Sequence, residues 1–241
     1  MKLSTKAVSL LVVVALLVTG SIGAFAAPKF PSKPVTLLVP WAAGGGTDTV
    51  ARTLVRDADK FLGVGVNVVN QTGGSGAVGH VAGATTRPDG YTVTMVTFEL
   101  LTIPVMGLAP VKYTDFKPLM RLNSDAAAIT VKADAPWKNL AEFLADARAN
   151  PKKINVGVSG LGGVWHLAAG LLEDEANVSL NIVPHEGAAP AITNLLGGHI
   201  DAVAVSPAEV APHVKSGALR ILGIMSEARD PNFPNVPTLK E

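Results

Sequence analysis

Glycine-rich turns that directly follow short apolar runs are the stretches of this sequence best suited to bind a ligand. In the first glycine loop (residues 40–46), Gly44, Gly45 and Gly46 lie between the apolar run Val35 to Val39 and an amphipathic pattern that starts at Asp48. Glycine lets the backbone approach a ligand closely and adopt positive φ at little cost. The N–H groups that open the following helix lack intrahelical partners, so they favour a carboxylate or a phosphate. A turn whose glycines serve only packing explains this stretch equally well.

The same order of apolar run, turn and helix pattern recurs along the chain. Residues 70–76 form a second glycine loop, and residues 159–163 form a third one after the run Ile154 to Val158. Residues 185–187 form a further turn before another helix pattern. Ligands of open α/β sheets bind at the carboxyl ends of the strands, where such turns lie. The turns are therefore predicted to line a ligand site.

The N-terminal 26 residues have the pattern of a secretory signal peptide. Lys2 and Lys6 precede an apolar stretch from Ala7 to Val18, and Ala24 to Ala26 fit a small-x-small cleavage site. The stretch is shorter than the roughly 20 residues of a membrane-spanning helix. The sequence therefore predicts an exported, periplasmic protein that is not inserted in the membrane after cleavage.

The composition argues against several partners and cofactors. The chain has no cysteine, so no disulfide or thiolate metal site is expected, and a formal net charge of +1 gives no basis for binding nucleic acid. The five histidines lack metal-ligand spacing such as H-E-x-x-H. No metal and no cofactor is predicted, and the histidines are expected at the surface or at helix caps.

Two enzyme classes stay open as alternatives. Gly74 to Gly79 match the dinucleotide-binding pattern G-x-G-x-x-G, and Glu99 follows at about the 20-residue distance of a ribose-binding acid. The match lies in the second strand–helix unit of an exported chain, which argues against an NAD-dependent oxidoreductase. Ser159 with His166 or His185 would suit an exported serine hydrolase, but Leu161 replaces a glycine of the nucleophile elbow.

The order of the patterns predicts an α/β fold with two lobes around a cleft. The first strands and helices alternate as β-α-β-α-β, with strands at 35–39, 66–69 and 91–97 and helices at 48–62 and 77–85. This order implies a parallel sheet with right-handed crossovers. An irregular stretch at 98–125 separates this set from a second one. We expect residues 27–122 plus 225–241 to form lobe 1 and residues 123–224 to form lobe 2.

Taken together, these stretches resemble the tripartite tricarboxylate transporter substrate-binding proteins, also called TctC or Bug proteins. The resemblance runs through Pro34 to Asp48, Asn70 to Gly79, Arg87 to Tyr91, Gly157 to His166, Gly187 to Asp201 and Pro237 to Leu239. It covers nearly all of the chain after the signal peptide, in the order that the family has. It is therefore more specific than any single motif.

The resemblance implies a type II-like periplasmic-binding-protein fold whose two α/β lobes close over a small organic carboxylate. It implies a receptor that is not an enzyme and that delivers its ligand to integral-membrane permease subunits; we expect a monomer. The family binds through backbone N–H groups and water, which agrees with glycine loops that contain no Lys or Arg. The ligand-binding positions carried over are Trp41, Ala42, Gly45, Asp48, Gly73, Gly74, Ser75, Gly76, Thr97, Phe98, Ser159, Gly160, Gly163, His166, His185, Gly187 and Ala188.

Two departures from the family's pattern affect this transfer, and Asp48 has two possible roles, alone or together. Many family members have Tyr where this chain has His185, so the ligand cannot be copied from them. Members continue beyond the position of Glu241, so the C-terminal part of lobe 1 is expected to be truncated. Asp48 is expected to act first as the N-cap of its helix, with ligand contact as the alternative.

Overall fold

The computed structural model describes residues 29–241, so the predicted signal peptide lies outside the described residues. The first half contains β1 (Val35–Val39), α1 (Gly46–Val55), α2 (Ala58–Leu62), β2 (Val66–Asn70), α3 (Ala77–Thr85), β3 (Thr92–Thr94), α4 (Glu99–Val105) and a 3-10 turn (Tyr113–Asp115). The second contains β4 (Ala128–Lys132), α5 (Leu140–Ala149), β5 (Asn155–Ser159), α6 (Val164–Ala176), β6 (Asn181–His185), α7 (Ala188–Leu196), β7 (Ala202–Val205), α8 (Pro207–Lys215) and β8 (Leu219–Ile224).

The described strands form two sheets. In the first sheet the order is β2-β1-β3, and both pairs are parallel, as the alternating pattern predicts. In the second sheet the order is β6-β5-β7-β4-β8, with β5 parallel to β6 and β7 and with β4 antiparallel to β7 and β8. The three glycine loops follow the carboxyl ends of the parallel strands β1, β2 and β5.

Each sheet has its own apolar core. Under the first sheet, Leu37, Val39 and Ala51 pack with Met95, and all four are buried. The second sheet has a larger core, in which Phe143 and Val156 are fully buried. Burying a side chain of this size contributes about 1.5–3 kcal/mol. These cores hold the loops at the sheet edges in place.

Three predicted elements differ from the structure. The strand predicted over 91–97 is shorter, since β3 spans only Thr92–Thr94. The helix predicted over 48–62 is two helices, because Asp57 leaves helical geometry with φ −118° and ψ 12° and binds the side chain of Lys60. The stretch predicted to be irregular contains α4, whose Leu100 and Ile103 are buried. Pro104 lies inside α4 and masks its pattern in the sequence.

The C-terminal residues pair with the second sheet. Ile224 N–H donates to Pro237 O, and Leu239 N–H donates to Ile224 O, at 3.0 Å each. The predicted lobe boundaries, including residues 225–241 in lobe 1, stay predictions. Among residues 29–241 no helix has both the length and the hydropathy that a membrane crossing needs.

We predict opposite effects of adding one methyl group at two helical glycines. A Cβ at Gly79 in α3 would lie 2.6 Å from Gln71 O and from Pro40 Cα, so Gly79→Ala is expected to lower the free energy of unfolding by about 1–3 kcal/mol. Gly170 in α6 has open space around it, and Gly170→Ala is expected to raise that free energy by about 0.4–1 kcal/mol. Denaturant unfolding of both variants measures this, and equal effects would contradict the packing of α3 against β1.

Candidate ligand-binding site

The first glycine loop leads from β1 into α1. Gly44 has a left-handed φ of 80°, and Gly45 is the N-cap of α1 with φ −78°, so the prediction that Asp48 is the N-cap is wrong. Asp48 is instead the third residue of the helix. Gly45 brings no side chain to the cap, which leaves the first N–H groups of α1 available to acceptors from elsewhere.

Asp48 holds the first glycine loop against the end of β2. Its Oδ2 accepts hydrogen bonds from Gly44 N–H and from Arg52 Nε, both at 2.8 Å, and its Oδ1 accepts one from Asn70 Nδ2 at 2.9 Å. Asn70 Nδ2 also donates to Trp41 O at 3.0 Å. Burial alone would raise the pKa of Asp48, but the hydrogen bonds from Arg52, Gly44 and Asn70 outweigh it and hold the pKa below its ordinary value.

The second glycine loop depends on left-handed backbone and on a buried histidine. Gly74, Ser75 and Gly76 have φ values of 56°, 54° and 87°. His80 Nδ1 donates to Gly76 O at 2.7 Å, and its Nε2 accepts from Thr97 N–H at 3.3 Å, which defines a neutral tautomer. Burial lowers the pKa of His80. The expectation that the histidines lie at the surface or at caps is therefore wrong for His80, which is fully buried.

The third glycine loop and the turn at 185–187 come from the second sheet. Gly160 and Gly162 are left-handed, and Gly163 is the N-cap of α6. Gly160 N–H donates to His185 O at 2.8 Å, and Gly162 N–H donates to His166 Nδ1 at 2.9 Å. The ring of His166 and the main-chain oxygen of His185 therefore hold the backbone of these loops.

Loops from the two sheets meet face to face. Ala42 N–H donates to Glu186 O at 3.3 Å. A Cβ at Gly160 would lie 3.1 Å from Ser75 Cβ and 3.1 Å from Trp41 Cη2, so these loops pack too closely for a side chain. Trp41 Nε1 in turn donates to Thr97 Oγ1 at 3.1 Å.

A cavity of about 1200 Å³ opens beside this contact. It extends along β3 and along residues 113–125. The predicted site residues that line it are Trp41, Ala42, Gly45, Thr97, Phe98, Ser159, Gly187 and Ala188. The predicted residues outside its lining are Asp48, Gly73, Gly74, Ser75, Gly76, Gly160, Gly163, His166 and His185.

Two glutamates that were not predicted to belong to the ligand site, Glu99 and Glu209, line the same cavity. Glu99 Oε2 accepts from Thr97 Oγ1 at 2.5 Å, and its Oε1 accepts from Val164 N–H at 2.9 Å. Glu209 Oε1 accepts from Gly46 N–H, and its Oε2 accepts from Ser206 N–H, at 3.0 Å each. Burial raises the pKa of Glu209, and the hydrogen bonds from Ser206 and Gly46 lower it by less. The sequence pattern Ser-x-x-Glu predicts the capping box of Ser206 and Glu209, but it does not predict the hydrogen bond between Glu209 and Gly46.

In the part of the chain that the structure describes, Ser159 is not paired with either of the histidines considered for it. His166 Nδ1 accepts from Gly162 N–H, His185 Nδ1 lies 2.9 Å from Val183 O, and neither ring is hydrogen-bonded to Ser159 Oγ. Within residues 29–241 no group of three or more His, Asp or Glu side chains is arranged to hold a metal ion. The site instead presents backbone N–H groups, the Thr97 hydroxyl and the two glutamates.

Two facing sets of glycine loops on two α/β sheets define the class of periplasmic binding proteins. The structure of the periplasmic binding protein BugD matches with a TM-score of 0.81 and 32% identity, covering 88% of this chain and 71% of that one. This similarity confirms the predicted fold class. The chain belongs to the tripartite tricarboxylate transporter family receptors, whose family model matches residues 50–241, so the resemblance seen in the sequence is also confirmed.

Other relatives span most of the chain. A TctC solute-binding protein from Polaromonas, solved with no ligand, is 47% identical with a TM-score of 0.60, covering 88% of this chain and 73% of that one. MatC from Rhodopseudomonas palustris, solved with bound malate, is 30% identical with a TM-score of 0.79, covering 88% and 73%. The UPF0065 protein in the gbd 5′ region of Cupriavidus necator is 37% identical over 218 residues. That match covers 89% of this chain but 66% of the relative, so the chain spans just under two thirds of its length.

We predict that Asp48→Asn destabilises the fold, because the new amide group must face at least one of the donors that now surround the carboxylate. The free energy of unfolding is expected to fall by about 1–3 kcal/mol at neutral pH. Since folding lowers the pKa of Asp48, its contribution is present above the unfolded value near 3.8 and is lost as the pH falls through the folded value. The difference between wild type and variant should therefore shrink in acid.

Urea unfolding from pH 3 to pH 8 measures this difference. Asp59→Asn is the matched control, because Asp59 is exposed on α2 and its carboxylate makes no hydrogen bond or ion pair. A difference that stayed constant in acid would assign the effect of Asp48→Asn to packing and not to charge.

Proposed function

We propose that this chain is an extracytoplasmic solute receptor that binds a small organic carboxylate between two lobes and delivers it to a membrane permease. One observation carries the proposal: glycine loops from two separate sheets meet at one cavity. Such loops offer backbone donors from both sides, and burial strengthens hydrogen bonds to an anion. The malate bound to MatC supports a carboxylate as the ligand class.

The donors that best fit a carboxylate lie at helix N-termini. Thr47 in the first turn of α1 and Ala188 at the start of α7 both line the cavity. First-turn N–H groups have no intrahelical acceptor and lie at the positive end of the helix dipole. The Thr97 hydroxyl borders the same space, but its proton is donated to Glu99 Oε2. We infer that the first-turn N–H groups of α1 and α7 hold the carboxylate and that Trp41 forms an apolar wall beside it.

A hinge motion between the lobes fits the comparison with solved relatives. The ligand-free Polaromonas protein is 47% identical but superposes with a TM-score of 0.60, whereas malate-bound MatC is 30% identical and superposes at 0.79. Lobe closure around a ligand is the usual motion of periplasmic binding proteins. The direct contact between Ala42 and Glu186 across the loops is what a closed conformation requires.

The proposal includes export by a cleaved signal peptide, a periplasmic location, a monomeric state and no catalysis. Two measurements discriminate the enzyme alternatives. Binding of NAD would favour an oxidoreductase that uses the turn at Gly74 to Gly79, and phosphonate labelling of Ser159 would favour a hydrolase. Glu99 argues against the first alternative, since its carboxylate is engaged with Thr97 and Val164.

Malate is expected to raise the melting temperature of the purified protein in a concentration-dependent way. A ligand that binds only the folded state stabilises it by about 2.7 kcal/mol at a concentration of 100 Kd. Thermal unfolding followed by circular dichroism, with titration calorimetry, measures this effect. Malamide, the neutral diamide of malate, is the matched control and should give no shift. If neither malate nor any of a panel of other di- and tricarboxylates raised the melting temperature, the proposal would be overturned.

Gly160→Val is expected to weaken carboxylate binding on the order of 100-fold. The substitution forces a left-handed φ of 72° on a branched residue and drives its side chain into Ser75 and Trp41, which prevents the loops from meeting. Calorimetry on the variant measures the loss, and Gly170→Ala on the outer part of α6 should bind as wild type does. Unchanged affinity of Gly160→Val would remove the third glycine loop from the site.

A further inference from the structure

Two glutamates each follow a strand of one sheet and accept a hydrogen bond from the first residue of a helix that follows a strand of the other sheet. Glu99 starts α4, which follows β3 of the first sheet, and its Oε1 accepts the N–H of Val164 at 2.9 Å. Val164 is the first residue of α6, which follows β5 of the second sheet. The side chain of Glu99 therefore satisfies a first-turn donor that the glycine N-cap of α6 leaves open.

Glu209 makes the reciprocal contact. It lies in α8, which follows β7 of the second sheet, and its Oε1 accepts the N–H of Gly46 at 3.0 Å. Gly46 is the first residue of α1, which follows β1 of the first sheet. The fit depends on glycine, because a Cβ at Gly46 would lie 2.7 Å from Glu209 Oε1.

Both oxygens of each glutamate accept hydrogen bonds, which favours the ionised form, so both contacts put a negative charge at the positive end of a helix. Hydrogen bonds to an ionised acceptor are about twice as strong as neutral ones, and they are stronger still away from water. Glu99 is only 2% exposed. Among residues 29–241, no ion pair joins Glu99 or Glu209 to a basic side chain. Backbone and hydroxyl donors therefore hold these carboxylates, in the way proposed for the ligand itself.

We propose that Glu99 and Glu209 are a reciprocal pair of internal anions that holds the two lobes closed. The inference rests on the proposed function in one respect, since it assumes that the lobes open and close. Glu99 binds the N-terminus of α6 and Glu209 binds the N-terminus of α1, so a ligand carboxylate cannot bind the same N–H groups. The pair also restricts the ligand to the first-turn donors that remain at the cavity, those of Thr47 and Ala188.

A distance measurement between the two sheets tests the pair without a ligand. The chain has no cysteine, so Asp59→Cys on α2 and Lys153→Cys before β5 give two unique and exposed labelling sites. Single-molecule energy transfer between these labels reports the open and closed populations. Glu99→Gln and Glu209→Gln keep the shape of each side chain and remove its charge. Each is expected to raise the open-to-closed ratio about tenfold, and the double variant about 100-fold if the sites are independent.

Two further variants make the result specific. Glu175→Gln removes one charge from the exposed side of α6 and should leave the ratio unchanged. Gly46→Ala leaves Glu209 in the chain but pushes its carboxylate away from the same N–H, and it should reproduce the effect of Glu209→Gln. An unchanged distance distribution in Glu99→Gln, Glu209→Gln and Gly46→Ala would overturn the inference. A loss of folding in one of them leaves the other two as the test.

A malate titration of the labelled proteins separates this inference from the proposed function. If the variants open and malate recloses them at a higher concentration than wild type requires, both statements hold. If the variants open but malate does not change the open-to-closed ratio of any protein, the role of the two glutamates is supported and the proposed ligand class is wrong. If malate binds all proteins equally and no variant is more open than wild type in its absence, the proposed receptor function is supported and the proposed role of the glutamates is wrong.

Discussion

The structure depends on a need that arises wherever a helix begins at a sheet edge: its first N–H groups require acceptors. The surface helix α5 meets this need locally, because Asn139 accepts from the N–H of Glu142. Helices α1, α6 and α7 instead have the N-caps Gly45, Gly163 and Gly187, which provide no side-chain hydrogen bond. Their donors must find acceptors across the cleft or in a ligand. The same unsatisfied backbone groups therefore explain the contact between the sheets and the suitability of the cleft for an anion.

Polar side chains behind the loops keep these donors in position. Asp48 links the first glycine loop to Asn70 at the end of β2, and His80 links the second glycine loop to Thr97 after β3. Both side chains are buried, so a loop cannot shift without leaving a polar group unsatisfied. Loops that are rich in glycine would be mobile on their own. These buried contacts account for how such loops present a defined set of N–H groups.

Local patterns predicted most of the fold. The segments at 35–39 and at 77–85 form the predicted strand and the predicted helix at those positions, because a short apolar run and a helix that starts after a glycine turn depend on residues close together in the chain. The pattern failed where a short element depends on packing. Helix α4 is stable because Leu100 and Ile103 pack with Ala77 and Val111, which lie at other places in the chain. The break between α1 and α2 at Asp57 was equally hidden, since apolar residues continue at helical spacing from Val50 to Leu62.

Taken alone, the sequence determined the class of fold, the strand–turn–helix units and the glycine loops, because each of these arises from residues close together in the chain. Only the tertiary structure decided which acceptors those loops meet. Glu99 and Val164 are 65 residues apart, and Gly46 and Glu209 are 163 apart. No local pattern marks either glutamate as a partner for a distant helix. Their roles arise when two separately ordered sheets bring the open ends of their helices against each other.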